Sequence, residues 1–236
     1  MIAYKFLSSG AVGLFSRHAW PTPTADAPGE WVRVEGELQP CLNGVHACDC
    51  TRLVEWIDDE LWEIELADPV VEADEELVAS AGRLVRRVDD WNDESALAFV
   101  SHCIDSTVAL TARSLVRAGR EAEADALTNA RSDAGSELDL PRLARELDDE
   151  RALPVRFLDD VTRLARGGRP ELADPAPTID RGGPTPATLA ANLSFVCAHI
   201  AAQLGEEESA GAYDESFAAE RLRQTTWLAD RLRLRG

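Results

Sequence analysis

The feature that most constrains this chain is a change of hydrophobic period near Trp91. Before it, apolar residues alternate with polar ones or come in short runs between Gly and Pro; beyond it they recur every three or four positions. A strand sends successive side chains to opposite faces, whereas a helix returns to one face after about 3.6 residues. The two patterns in succession predict an α+β fold, with a small mixed sheet module over residues 1–91 and an all-α helical region over 92–236. A chain of 236 residues has room for one large domain or two small ones.

Within the first part, 2–7 and 31–34 read as strands, and the Gly- and Pro-bearing stretch 10–29 reads as loop. Segment 61–66 alternates cleanly, placing Trp62, Ile64 and Leu66 on a buried face with Glu63 and Glu65 opposite. Shorter strands are expected at 69–71, 77–78 and 83–88. A short helix carrying Leu53, Val54, Trp56 and Ile57 is expected behind a cap from Asp49 or Thr51. In the second part a long helix is expected over 93–118, capped by Asn92 or Asp93, with Leu97, Val100, Ile104, Val108, Ala112 and Leu115 on its apolar face and Gly119 as its stop. Further helices are expected at 121–130, 139–151, 156–166 and 186–204, the last ended by Gly205, and a final one capped by Asp214. Five Pro and two Gly make 169–186 an irregular connection.

With 24 basic and 43 acidic side chains the formal charge is −19. Such a surface repels phosphate backbones and anionic lipid, which argues against ordinary nucleic-acid binding. The acidity is concentrated between Arg52 and Arg83, where eleven Asp or Glu occur without a Lys or Arg. Asp58, Asp59 and Glu63 in this stretch are candidate contacts for a basic protein partner; the competing reading is a solvated face. One Lys stands against 23 Arg, an imbalance that codon bias explains at least as well as selection for Arg chemistry. No apolar run reaches the roughly 20 residues of a membrane span, and residues 1–5 open no signal-like segment, so the expected location is the cytoplasm, away from membranes.

Five Cys without a secretion signal argue against a disulfide framework. Cys41, His46, Cys48 and Cys50 form the one dense cluster of metal-capable side chains, and thiolate and imidazole are the ligands zinc prefers. In an extended segment His46, Cys48 and Cys50 would lie about 6.6 Å apart on one side. Two ligands on one metal are at most about 4.6 Å apart, so the segment must curl to hold zinc. The competing reading makes Cys41 and Cys48 small buried residues, with the Gly44–His46 stretch a turn entering a buried strand and no cofactor present. A catalytic reading makes Cys48 or Cys41 a nucleophile with His46 or His18 as base, although acidic surroundings raise a thiol pKa. His102 and His199, next to or near Cys103 and Cys197 on two helices, are a further acid–base or metal pair if those helices pack together; otherwise they are boundary residues. Trp56, Trp62, Trp91 and Trp227 read as core, and Trp20 and Trp31, flanking the Pro-rich loop, as an exposed binding patch. The common dinucleotide, phosphate-loop, zinc-protease, serine-hydrolase and EF-hand signatures are absent from the sequence.

Two stretches carry a resemblance. The pattern Cys41-x-x-Gly44-Val45-His46-Ala47-Cys48, followed by Leu61-Trp62-Glu63-Ile64-Glu65-Leu66 and by Gly82-Arg83-Leu84-Val85, resembles an uncharacterised bacterial N-terminal domain family over about 90 residues. That family's pattern includes the positions of Cys41, His46 and Cys48, and it implies no particular activity. The helix at 186–204 and the ending Glu220-Arg221-x-x-Gln224-x-x-Trp227-Leu228 are similar to helical immunity proteins, which act by binding. The resulting expectation is a non-catalytic, immunity-like protein that recognises a protein partner. The alternative is a Cys/His- or metal-dependent transferase or hydrolase centred on residues 41–50.

Overall fold

The computed structural model describes residues 1–132, 140–146, 155–156, 158–159 and 185–235. The fold is α+β, a five-stranded antiparallel sheet followed by a helical region. The strands are β1 (Ile2–Leu7), β2 (Val32–Arg33), β3 (Val45–Ala47), β4 (Glu60–Glu72) and β5 (Leu77–Arg87). The helices are α1 (Asp93–Arg117), α2 (Glu121–Ser132), α3 (Leu140–Glu146), α4 (Pro186–Glu208) and α5 (Tyr213–Arg231). Most of the helix expected at 156–166, both ends of that at 139–151 and nearly all of the 169–186 connection lie outside the described residues. The chain divides into two compact units, one of Met1–Leu97, Pro184–Ala191 and Leu222–Gly236, the other of Ala98–Gly183 and Asn192–Arg221.

The whole sheet belongs to the first unit. Trp62, Ile64 and Leu66 are buried on one face of β4, each burial contributing on the order of 1.5–3 kcal/mol, while Glu63 and Glu65 pair with Arg86 and Arg83 of β5. The strands expected at 61–66 and 69–71 are one, and so are those at 77–78 and 83–88. Together they form a long hairpin joined by residues 73–76. Pairing with β5 carries β4 through Pro69 because a register shift between Ala67 and Val70 falls where proline has no N–H to offer the ladder.

β1 pairs with β4, and β4 with one edge of β5. The other edge of β5 is shared, β3 meeting it at Leu77–Ala79 and β2 at Ala81 and Gly82. Cys48, one residue past β3, exchanges both backbone hydrogen bonds with Tyr4 of β1, at 2.7 and 2.8 Å. The sheet therefore curls until its first strand meets the chain leaving β3, and one face carries a buried cluster that includes Ala3, Leu7, Trp20, Val45, Ile64 and Leu84. Gly44 makes this entry into β3 possible: its φ is +150°, and a Cβ there would stand 2.2 Å from Val78 Cγ1.

α1 starts where expected, with Asn92 Oδ1 accepting from the N–H groups of Glu94 and Ser95. It stops at Gly119, whose φ is +72°. Its buried side differs from the expected one: Leu97 is exposed and Ala112 only half-buried, while Phe99 and Cys103 face inward with Val100 and Ile104. α4 begins behind a Thr185 cap but runs through Gly205 to Glu208. Gly205 serves close approach instead of termination, since a Cβ would lie 2.0 Å from Ser216 Oγ of α5. α5 starts one residue before Asp214; Glu206 accepts from the N–H groups of Gly211 and Tyr213 and performs the capping expected of Asp214. Among the described residues α1 and α4 are long and apolar enough to cross a membrane, yet 56% of each such stretch is buried, the distribution of a core helix.

Candidate functional site

A cavity of about 740 Å³ opens beside β1 and β3 in the first unit. Lys5 and Phe6 come from β1, His46 and Ala47 from β3, Trp56 from the turn after the short 3-10 helix at Leu53–Glu55, and Glu75 and Glu76 from the hairpin joining β4 to β5. Two loops form its lips, one carrying Leu14 and Phe15, the other Cys41 and Leu42. Phe15 is 81% exposed and Leu42 80% exposed, so both apolar side chains stand in water at the mouth.

The organising group is Glu76, only 2% exposed. Its carboxylate accepts from the Cys41 N–H at 2.6 Å, from the Cys41 thiol at 3.4 Å and from His46 Nδ1 at 2.8 Å. An ionised carboxylate is acceptor-only, so the proton of the last bond lies on Nδ1, and Nε2 of His46 has no hydrogen-bond partner among the described residues. Three donors satisfy a buried charge that would otherwise be costly. The same bonds pin Cys41 in a left-handed conformation with φ +59° and so fix the lip that carries Leu42. Because the thiol donates to Glu76 and faces its charge, the Cys41 pKa is raised, and the group is held as a thiol, not a thiolate.

Lys5 alternates with Ala3 and Leu7 on β1 and so shares the face of the buried cluster. Its Nζ donates to the His46 carbonyl at 2.6 Å and sits 5.1 Å from the centre of the Trp20 ring. Loss of hydration pulls its pKa down to about 8, against the opposing influence of Cys48 and Glu76.

The other lip is tied down by consecutive acidic residues. Asp58 accepts from the Ser8 hydroxyl, Asp59 from Ser9, and the buried Glu60 from the N–H groups of Gly10 and Ala11 and from Trp62 Nε1. Gly13 and Trp20 close the loop with backbone bonds to His18 and Ala11. Phe15 is therefore displayed by an anchored loop.

Several expected residues take other places. Of the cluster read as zinc ligands, Cys41 and His46 are brought to opposite oxygens of Glu76, so a carboxylate lies between thiol and imidazole. Cys48 is 1% exposed and its thiol donates to the Tyr4 carbonyl; burial raises its pKa. Cys50 is half-buried, with its pKa likewise raised by burial. Among the described residues no three His, Cys, Asp or Glu side chains are placed to hold a metal ion. His18 packs edge-on to Trp20 and is not among the cavity's lining residues. Trp20, expected with Trp31 in an exposed patch, is instead buried at 8% exposure, because the anchored loop folds it into the apolar cluster. Trp31 is half-buried under Arg83, 4.8 Å from its ring centre. Asp58, Asp59 and Glu63 are engaged within the sheet module, by Ser8, by Ser9 and Thr185, and by Arg86. In the second unit His199 bonds the Tyr213 hydroxyl at 2.5 Å and packs edge-on to Phe195 and at a tilt against Phe217.

The sequence reading did not single out Glu76, Lys5, Phe15 or Leu42. For Lys5 a signal was present, a charged residue between Ala3 and Leu7 on one strand face. Glu76 becomes visible only when β5 is known to start at Leu77, which sets Glu76 on the side of Val78 and His46. Comparison of the chain with family models, with curated proteins and with solved structures finds no match.

Proposed function

We propose that this is a recognition protein that receives an apolar side chain of a partner polypeptide, flanked by basic residues, in the cavity beside β1 and β3. The observation that carries this reading is the pair of exposed apolar lips, Phe15 and Leu42, held on anchored loops over a preformed cavity. Exposed, rigid apolar groups around a pocket are the anchors from which binding interfaces draw most of their energy. Glu55 and Glu75 at the same opening, within a chain of charge −19, favour a basic flank on the partner. The same class of action, stoichiometric binding, is what the sequence resemblance of the helical region to immunity proteins implies, and the cytoplasm is the place of action that goes with this reading.

Titration calorimetry with a Trp-centred peptide carrying Arg flanks, beside the same peptide with Asp flanks, tests this reading. The Arg peptide is expected to bind, more weakly at high salt, and the double variant Phe15→Ser, Leu42→Ser to lose about 10- to 100-fold in affinity at an unchanged melting temperature. Equal affinity for the two peptides, or no binding of either, would overturn it.

One observation favours the second reading, a transferase or hydrolase centred on residues 41–50. The Glu76–His46 pair has the geometry that orients a general base. The thiol nearest that base donates to the same carboxylate and stays protonated, which leaves the base without an activated cysteine.

A further inference from the structure

We propose that Lys5 is a covalent ligand site, whose amine condenses with an apolar aldehyde entering the cavity to form an imine. Lys5 is the one lysine of the chain, against 23 arginines. It lines the cavity, and among the described residues its Nζ has a single hydrogen-bond acceptor, the His46 carbonyl, and no ion-pair partner. An ammonium with three donors has one hydrogen-bond acceptor and one indole face there, which compensate its lost hydration only in part, so a reactive fraction of neutral amine is present near neutral pH. Arginine at this place would remain charged, whereas lysine gives up its proton under desolvation and becomes a nucleophile. Leu14, Phe15, Leu42 and Trp56 supply apolar walls for the ligand's body.

The chemistry balances without an oxidant or reductant. The Nζ lone pair forms a bond to the carbonyl carbon while the π pair moves to oxygen. One Nζ proton passes to that oxygen to give the carbinolamine; its hydroxyl takes a second proton from solvent as the C–O bond breaks and water departs, and the remaining Nζ proton returns to solvent as the C=N bond is completed. The charged or titratable groups whose influence reaches the amine are the Cys48 thiol that follows β3 and Glu76 just before β5, while His46 meets it through its main-chain carbonyl. The His46 imidazole, held by Glu76, lines the same cavity. This site does not depend on the polypeptide reading, since trapping is measured with no peptide present.

Benzaldehyde with cyanoborohydride, followed by peptide mapping, tests it on the intact chain. Two amines can be labelled, Lys5 and the Met1 amine, which donates to the Leu66 carbonyl and serves as internal reference. A pKa of about 8 in place of 10.5 raises the neutral fraction at pH 7.5 by roughly 200-fold. Allowing for restricted access, Lys5 is expected to be benzylated at least about 10-fold faster in the folded chain than in urea, with a rate that climbs with pH to a plateau above about 8. Labelling confined to Met1, or Lys5 labelling no faster folded than unfolded, would overturn the proposal.

Discussion

Replacing Glu76 tests the architecture of the cavity most directly, because one buried carboxylate holds a lip loop, a thiol and an imidazole at once. Hydrogen bonds to a charged acceptor are worth about 1.5–3 kcal/mol each, and the Cys41 N–H and His46 Nδ1 bonds, at 2.6 and 2.8 Å, are both of that kind. Glu76→Ala removes both, and is expected to cost about 3–5 kcal/mol in urea denaturation, a large share of a typical domain's stability. Glu76→Gln keeps the shape. Its amide oxygen can still accept from Cys41 N–H, and its NH₂ can donate to His46 Nδ1 once the imidazole proton moves to Nε2, so the expected cost is only about 1–2 kcal/mol. The thiol supplies a second readout. Since Glu76 raises the Cys41 pKa, first by its hydrogen bond and then by its charge, either substitution increases the thiolate fraction at pH 8. Alkylation of Cys41 by iodoacetamide, followed by mass spectrometry, should then speed up while the buried Cys48 stays protected. A Glu76→Gln variant that is unaltered in both stability and Cys41 alkylation would refute the reasoning.

Three further outcomes follow from particular contacts. Lys5 is depressed to about 8 in the folded chain, so between pH 8 and 10.5 the unfolded chain binds the additional proton; its contribution is complete above about 10.5 and is lost as pH falls to 8. Relative to Lys5→Met, the wild type should gain up to roughly 3 kcal/mol across that window, and a flat difference curve would exclude an enclosed amine. The comparison has to be made by difference, because the raised Cys48 pKa works in the opposite sense at alkaline pH. Gly205→Ala places a Cβ 2.0 Å from Ser216 Oγ and 2.6 Å from Ser216 Cβ, so it should destabilise by about 1–3 kcal/mol despite alanine's better helix propensity. Ser216→Gly should recover part of the loss, a coupling that a double-mutant cycle measures. Asn92→Ala, which removes the acceptor of the Glu94 and Ser95 N–H groups, should lower stability by about 1 kcal/mol without changing the cavity's peptide or aldehyde binding.

Periodicity and punctuation are local, and what they determine the chain determines alone. The alternation at 61–66, the stripe after Trp91, the Asn92 cap, the Gly119 stop and the Thr185-Pro186 start all act within a turn or two of backbone. The α+β succession was therefore legible without a structure. Tertiary structure decided whatever depends on distant partners. β4 passes through Pro69 because β5 pairs across a register shift, and Trp20 is buried because Glu60, 49 residues from Ala11, holds that loop inward. Gly205 stays helical because Ser216 needs the space, and the acidic residues 58–60 become loop anchors because Ser8 to Ala11 lie opposite them. The cavity is the extreme case. Lys5, Cys41, His46 and Glu76 are scattered over 72 residues and converge because the sheet curls until Cys48 meets Tyr4. Spacing along the chain made Cys41, His46, Cys48 and Cys50 a group, but Cys48, just past the end of β3, gives its thiol to the buried Tyr4 carbonyl, and the carboxylate that joins Cys41 to His46 arrives from the far end of a hairpin.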